Sequence, residues 1–173
     1  MGSLARRTRA VALLVLAGAS AGLAGCVFFD SRPHHAEARL LPTQGENVSG
    51  RIGFDERPDG LLLTYEIHGL RPNAEYGVHV RESGMCSGAG ARDAGPRFER
   101  EWRRRAPLRS GDLPNIRADA RGQAIGVLVV PHLALDGVRS VLGHALTIER
   151  ERDDGLPSPA DAPEVHIACG VIG

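Results

Sequence analysis

The stretch Glu75-Tyr-Gly-Val-His-Val-Arg-Glu places His79 and Arg81 two residues apart in an alternating run. Side chains of a strand repeat every two residues, so both point to one face. Two imidazoles at that spacing would make half of a metal site. Here one of the two is a guanidinium, which stays protonated and has no lone pair to give. The stretch reads either as a dismantled metal site or as one that never held a metal.

Three cysteines could do other chemistry. Cys26 closes the run Leu23-Ala24-Gly25-Cys26, which resembles a bacterial lipobox, in which the Cys becomes the lipid-bearing N-terminus. The preceding residues carry Arg6, Arg7 and Arg9 and then an apolar run, Val11 to Ala24, too short to span a bilayer comfortably. The expectation is a signal peptide over residues 1–25, then a lipidated Cys26 and a tether over 26–37. An ordinary secretory signal cut near Ala24, or an uncleaved anchor, is the other reading. Either way the rest of the chain faces an oxidising compartment, the periplasm or cell envelope. Cys86 and Cys169 are then expected to form a disulfide, with two buried thiols as the alternative.

Arginine and acid balance at 21 each, and no Lys occurs. Without net positive charge, global attraction to nucleic acid is excluded, and any charged surface is local. The densest basic stretch, Arg100 to Arg105 with Trp102, suits an anionic surface or a solvated loop with Glu99 and Glu101 interleaved. His34 and His35 fall in the expected tether, where they read as solvated or as a labile metal-binding pair. Solvated or structural roles are expected for His68, His132 and His144.

The elements that must hold these residues read as strands. Runs at 38–41, 48–54, 61–67, 75–82, 123–130, 145–150 and 165–172 are separated by turn signals such as Arg57-Pro-Asp-Gly60. Aromatics are 4% and glycines number 22, a composition suited to a turn-rich β domain. Val48, Gly50, Ile52 and Phe54 share an inward face, with glycine leaving room for close packing. Two long loops, 83–114 and 151–163, are expected. The domain over 38–173 is thus expected to be all-β, antiparallel, with seven to eight strands.

Three blocks in order, GVHVRESGMCSGAG…AGPRF, Gly111-Asp-Leu-Pro-Asn-Ile-Arg-Ala-Asp and the terminal HIACGVIG, resemble the copper/zinc superoxide dismutases, nearest the bacterial periplasmic branch. The resemblance implies an eight-stranded Greek-key β-barrel with two long loops, one for zinc and one that guides superoxide. It also implies a Cys86–Cys169 disulfide.

The ligand positions that it implies are mostly changed. Where the family reads Gly-Phe-His-Val-His-Glu, this chain keeps His79 and has Arg81. The bridging His becomes Arg97 in Ala94-Gly-Pro-Arg-Phe98. Residues 99–108 contain no His for zinc, and Arg109 and Ser110 occupy the approach of the other zinc His. The zinc Asp is kept as Asp112, and the last copper His aligns with Glu149. The substrate-guiding Arg aligns with His166, and the supporting Asp of the second loop with Asp153 or Asp154.

One imidazole of the four that copper would use, beside two fixed cations, opposes a divalent ion electrostatically. The expectation is two ion pairs in place of two metals, Arg81 with Glu149 and Arg97 with Asp112. Arg97 reaching outward to water is the alternative for that pair. His79 is expected to bond Asp153. A different metal site, from His79, Glu149 and His166, is the competing arrangement. The sequence thus implies an exported lipoprotein, non-catalytic, with no cofactor, held to the membrane by its lipid and bound to an unnamed envelope partner. A superoxide dismutase or other redox metalloprotein with copper or zinc in an altered site is the other reading.

Overall fold

The computed structural model describes residues 34–99, 110–155 and 164–173. The signal, most of the tether, Cys26, the Arg100–Arg105 cluster and most of the second loop lie outside them. Among the described residues eight strands form: β1 (His35–Pro42), β2 (Ser49–Arg57), β3 (Gly60–His68), β4 (Glu75–Val80), β5 (Asp112–Arg117), β6 (Ala124–Val130), β7 (Ala145–Glu149) and β8 (His166–Val171). They pair antiparallel in the order β5-β4-β7-β8-β1-β2-β3-β6. The first three strands form a meander, and later strands return beside earlier ones, which is the Greek-key pattern of a nearly closed barrel.

Alternation sets the inside. Ile52 and Phe54 of β2, Leu61, Leu63 and Ile67 of β3, and Val78 and Val80 of β4 are buried in one core. Gly50 is needed on that inward face. A Cβ there would lie 2.2 Å from the Glu66 carbonyl oxygen on β3. Gly126, which breaks the apolar run of β6, pairs with Tyr65 of β3. A Cβ at Gly126 would meet the Tyr65 hydroxyl at 2.5 Å, so the missing side chain makes space for that ring.

Three expectations change. β5 was expected to be loop, because Pro114 and the polar Asp112 and Asn115 hide its period. It lies at the end of the sheet order, where a proline removes no ladder bond on its free side. β1 begins at His35, earlier than the expected strand at Ala38, and His35 Nδ1 is 2.9 Å from Asp55 Oδ1. His35 is therefore part of the barrel, and the strand starts inside the stretch expected as tether. β4 ends at Val80, not Glu82, because Arg81 pairs instead with Arg97 in an isolated antiparallel bridge.

β4 is buried on both faces. Val78 and Val80 face the core, while His79 and Arg81 face outward under the covering loops and remain buried. The loop after β4 turns through Ala89–Ala94, a 3-10 segment, and is tied to β8 by the Cys86–Cys169 disulfide, with Cα atoms 5.7 Å apart.

Candidate functional site: two guanidiniums in a carboxylate shell

Strand register builds the site. Asp112 of β5 pairs with His79 of β4, His79 with Thr147 of β7, and Thr147 with Cys169 of β8. Glu149 of β7 pairs with His166 of β8. Period two then puts Arg81 beyond His79 and Glu149 beyond Thr147 on the same outer face. Arg97 arrives on the backbone bridged to Arg81. Asp153 is fixed by Asn115, whose Nδ2 donates to the Asp153 carbonyl at 2.7 Å and whose Oδ1 accepts from the Asp153 N–H at 2.9 Å.

Arg81 is 2% exposed, and its five N–H donors meet five acceptors. Nε donates to Thr147 Oγ1 at 2.9 Å, Nη1 to Glu164 Oε2 at 2.6 Å and to the Gly95 carbonyl at 3.5 Å, the longest of the set. Nη2 donates to Glu149 Oε1 at 2.5 Å and to His166 Nε2 at 2.7 Å. His166 Nδ1 then donates to the Gly90 carbonyl at 3.1 Å.

Arg97 is the second centre. Its Nη1 reaches Asp112 Oδ1 at 3.1 Å and Asp153 Oδ2 at 2.8 Å, and its Nε reaches Glu164 Oε1 at 3.2 Å. Glu149 Oε2 lies 3.6 Å from Nη2. Burial works against the Arg97 charge, but the carboxylates of Glu149, Glu164, Asp112 and Asp153 overcome it, and the pKa is raised. The Arg97 side chain is 14% exposed, so the outward-reaching alternative is overturned by these carboxylates.

The two expected pairs, Arg81–Glu149 and Arg97–Asp112, both form, but inside one shared network. Glu164 bridges the guanidiniums and was not singled out in the sequence. It lies in the polar run before β8, and nothing local marks it apart from its place two residues before His166. His166, at 3.8 Å, and the Arg81 and Arg97 guanidiniums hold the Glu164 carboxyl well below the usual carboxylate range, against partial burial. At 3.8 Å the imidazole makes no hydrogen bond, so the guanidiniums are the stronger cause.

His79 differs from expectation. Its Nδ1 donates to Asp112 Oδ1 at 3.1 Å, not to Asp153. A carboxylate only accepts, so Nδ1 carries the hydrogen. The other nitrogen, Nε2, is buried without a hydrogen-bond partner, 3.4 Å from Glu149 Oε1 and 3.6 Å from Asp153 Oδ2. The competing metal arrangement fares poorly for a steric reason. Arg81 Nη2 stands between Glu149 Oε1 and His166 Nε2, where a shared ion would sit.

Among the described residues, metal-type donors gather into two groups, His79–Asp112–Asp153 and Glu149–Glu164–His166. Arg97 bonds both carboxylates of the first group, and Arg81 bonds all three members of the second. The remaining histidines are structural or surface groups. His144 Nδ1 lies 2.8 Å from the Arg81 carbonyl and its ring meets Phe98 edge-on at 4.6 Å. His132 Nε2 lies 3.1 Å from the Ser110 carbonyl, and His68 lies beside Glu66.

Known proteins agree with this architecture. The family model for copper/zinc superoxide dismutase matches residues 48–172. A copper/zinc superoxide dismutase of Aquifex aeolicus is 33% identical over 147 residues, covering 79% of this chain and 85% of that protein. One from Yarrowia lipolytica is 37% identical over 139 residues, covering 73% of this chain and 90% of that protein. A crystal structure of the clock protein EA4 superimposes with a TM-score of 0.70 at 30% identity, over 83% of this chain and 96% of that one. The chain belongs to the copper/zinc superoxide dismutase family.

Proposed function

We propose that this chain is an exported, lipid-anchored member of the family that has given up metal chemistry. It acts as a non-catalytic binding or structural domain of the cell envelope. The observation that carries the reading is that each of the two donor groups holds one guanidinium. Copper would need imidazole nitrogens, and here His166 Nε2 accepts from Arg81 while His79 Nδ1 is bonded to Asp112. The donor set does not fit the family's ions. Fixed cations within hydrogen-bond distance of the same carboxylates also oppose an incoming divalent ion.

The second reading, a dismutase or other redox metalloprotein with copper or zinc in an altered site, rests on one observation. His79 Nε2 is buried, has no hydrogen-bond partner and faces Glu149 and Asp153. It requires Arg81 or Arg97 to leave its carboxylates.

Purification after expression with both copper and zinc supplied, followed by elemental analysis and a superoxide dismutation assay, separates the two. The non-catalytic reading expects well under one ion per chain and no turnover above buffer. One copper per chain with rapid turnover overturns it. For the anchor, fatty-acid labelling of the expressed chain is expected to disappear in Cys26→Ser and to leave the protein in the soluble envelope fraction.

A further inference from the structure

The outer face of β1, β2 and β3 carries a groove of about 420 Å³, on strands that contribute nothing to the Arg81–Arg97 network. It is lined by Glu37, Arg39, Gly50, Arg51, Glu66 and His68. Strand register sets their places. Arg39 of β1 stands opposite Arg51 of β2, and Arg51 stands opposite Glu66 of β3. Arg51 Nη2 donates to Glu66 Oε2 at 2.8 Å, and His68 Nε2 lies 3.3 Å from Glu66 Oε1. Arg39 and Glu37 have no such tie. Among the described residues neither side chain makes a hydrogen bond or an ion pair.

Two features of this face ask for an occupant. Like charges directly opposite across an antiparallel pair are destabilising, and Arg39 faces Arg51 with no carboxylate of its own. Glu37 lies two residues away on the same face, about 7 Å along the strand, and is equally uncompensated. Opposite Glu37 stands Gly53, so no side chain of β2 crowds that carboxylate. The groove therefore offers one cation and one anion at a set spacing, beside the Arg51–Glu66 pair that is already neutral. Its two guanidiniums and two carboxylates cancel. A bare anion meets Glu37 and Glu66, and a bare cation meets Arg39 and Arg51, so each is disfavoured.

We propose that the groove binds a zwitterion of the phosphoethanolamine type, with its oxyanion on Arg39 and Arg51 and its ammonium on Glu37. Arg51 gives Glu66 a hydrogen bond through Nη2 and has further N–H donors for the oxyanion. Two carbons separate phosphate from ammonium in this class, a spacing that the long side chains of Glu37 and Arg39 can bracket. The same chemistry occurs in a lipid headgroup and in soluble phosphodiesters. The proposal deepens the binding-domain reading and rests on it for a role. Its residues lie apart from the Arg81–Arg97 network, so its failure leaves the metal result standing, and one copper per chain would overturn that reading without altering the groove.

Calorimetric titration of the full chain with glycerophosphoethanolamine, dimethyl phosphate and ethanolamine tests it. Glycerophosphoethanolamine is expected to saturate one site, and the other two to bind at least tenfold more weakly. Arg39→Gln is expected to abolish binding. Glu37→Gln is expected to weaken glycerophosphoethanolamine several-fold and to strengthen dimethyl phosphate, and Arg57→Gln, outside the groove, to change neither. An unshifted unfolding midpoint shows that each variant keeps the barrel. No saturation by glycerophosphoethanolamine, equal binding of dimethyl phosphate, or an unchanged affinity in Arg39→Gln or Glu37→Gln overturns the proposal. Flotation of the Cys26→Ser chain with phosphatidylethanolamine vesicles then assigns the source. Flotation that falls in Arg39→Gln identifies the lipid headgroup, and flotation that Arg39→Gln leaves unaltered identifies a soluble ligand.

Discussion

Arg81 shows why a buried ion pair is better judged by removing a partner than by counting contacts. Its guanidinium is desolvated and its five donors are met, so the net contribution of the intact network is small. Glu149→Ala leaves that charge without its shortest contact and places Arg97 and His79 beside a void. The expected loss is about 3–5 kcal/mol by urea unfolding, against less than about 0.5 kcal/mol for Glu37→Ala on the exposed face of β1. Glu164 gives a pH dependence of known sign. Its folded pKa is lowered from 4.5, so its contribution is present above that value and is lost as pH falls below it. Glu164→Gln is therefore expected to flatten the decline of the unfolding midpoint below about pH 4.5 while lowering the midpoint at pH 7. Unchanged curvature would show that other carboxylates control acid unfolding. Residues carried by strand alternation were legible here. His79 and Glu149 lie on strands whose period fixes their face, and Arg81 directly follows β4 in the same alternation, whereas Glu164 reaches the site by a loop path that no local pattern encodes.

At the scale of elements, the disulfide and the loop it anchors decide whether the site can exist. The segment from Ser83 to Phe98 gives the Gly95 and Gly90 carbonyls to Arg81 and His166 and delivers Arg97 itself. Cys86 ties this segment to Cys169, across a sequence separation of 83 residues. Constraining so long a loop contributes about 4.5 kcal/mol in the chain-entropy model. The Cys86→Ser/Cys169→Ser variant is expected to lose about that much and to be cut by protease in the loop before the strands open. Cleavage at the same rate as wild type would mean that the ion network alone holds the loop. The cysteine count made this bridge readable from the sequence, and the strand runs made seven strands readable. β5 was not, because Pro114 and its polar neighbours remove the alternation that marks an inner strand, and an end strand does not need it.

The whole molecule has one weak seam, and it follows from the strand order. β5 and β6 end the order, and among the described residues no backbone hydrogen bond joins them. Each is bonded to one neighbour only, so alternate amides of β6 point away from β3 with no ladder partner. β1 and β8, in contrast, have a strand on both sides. Closure across the seam depends on side chains such as Leu113 and Val130, which bury surface without directing register. The barrel is then expected to open first along β5–β6, on the side away from the Cys86–Cys169 bridge. In native-state hydrogen exchange, amides of β1, β2 and β8 should exchange only through global unfolding, with protection matching the chemical-denaturation stability. Alternate amides of β6 and the outer amides of β5 should exchange several orders of magnitude faster and respond little to reduction of the disulfide. Uniform protection across all eight strands would show that the seam is closed by bonds on par with the ladders.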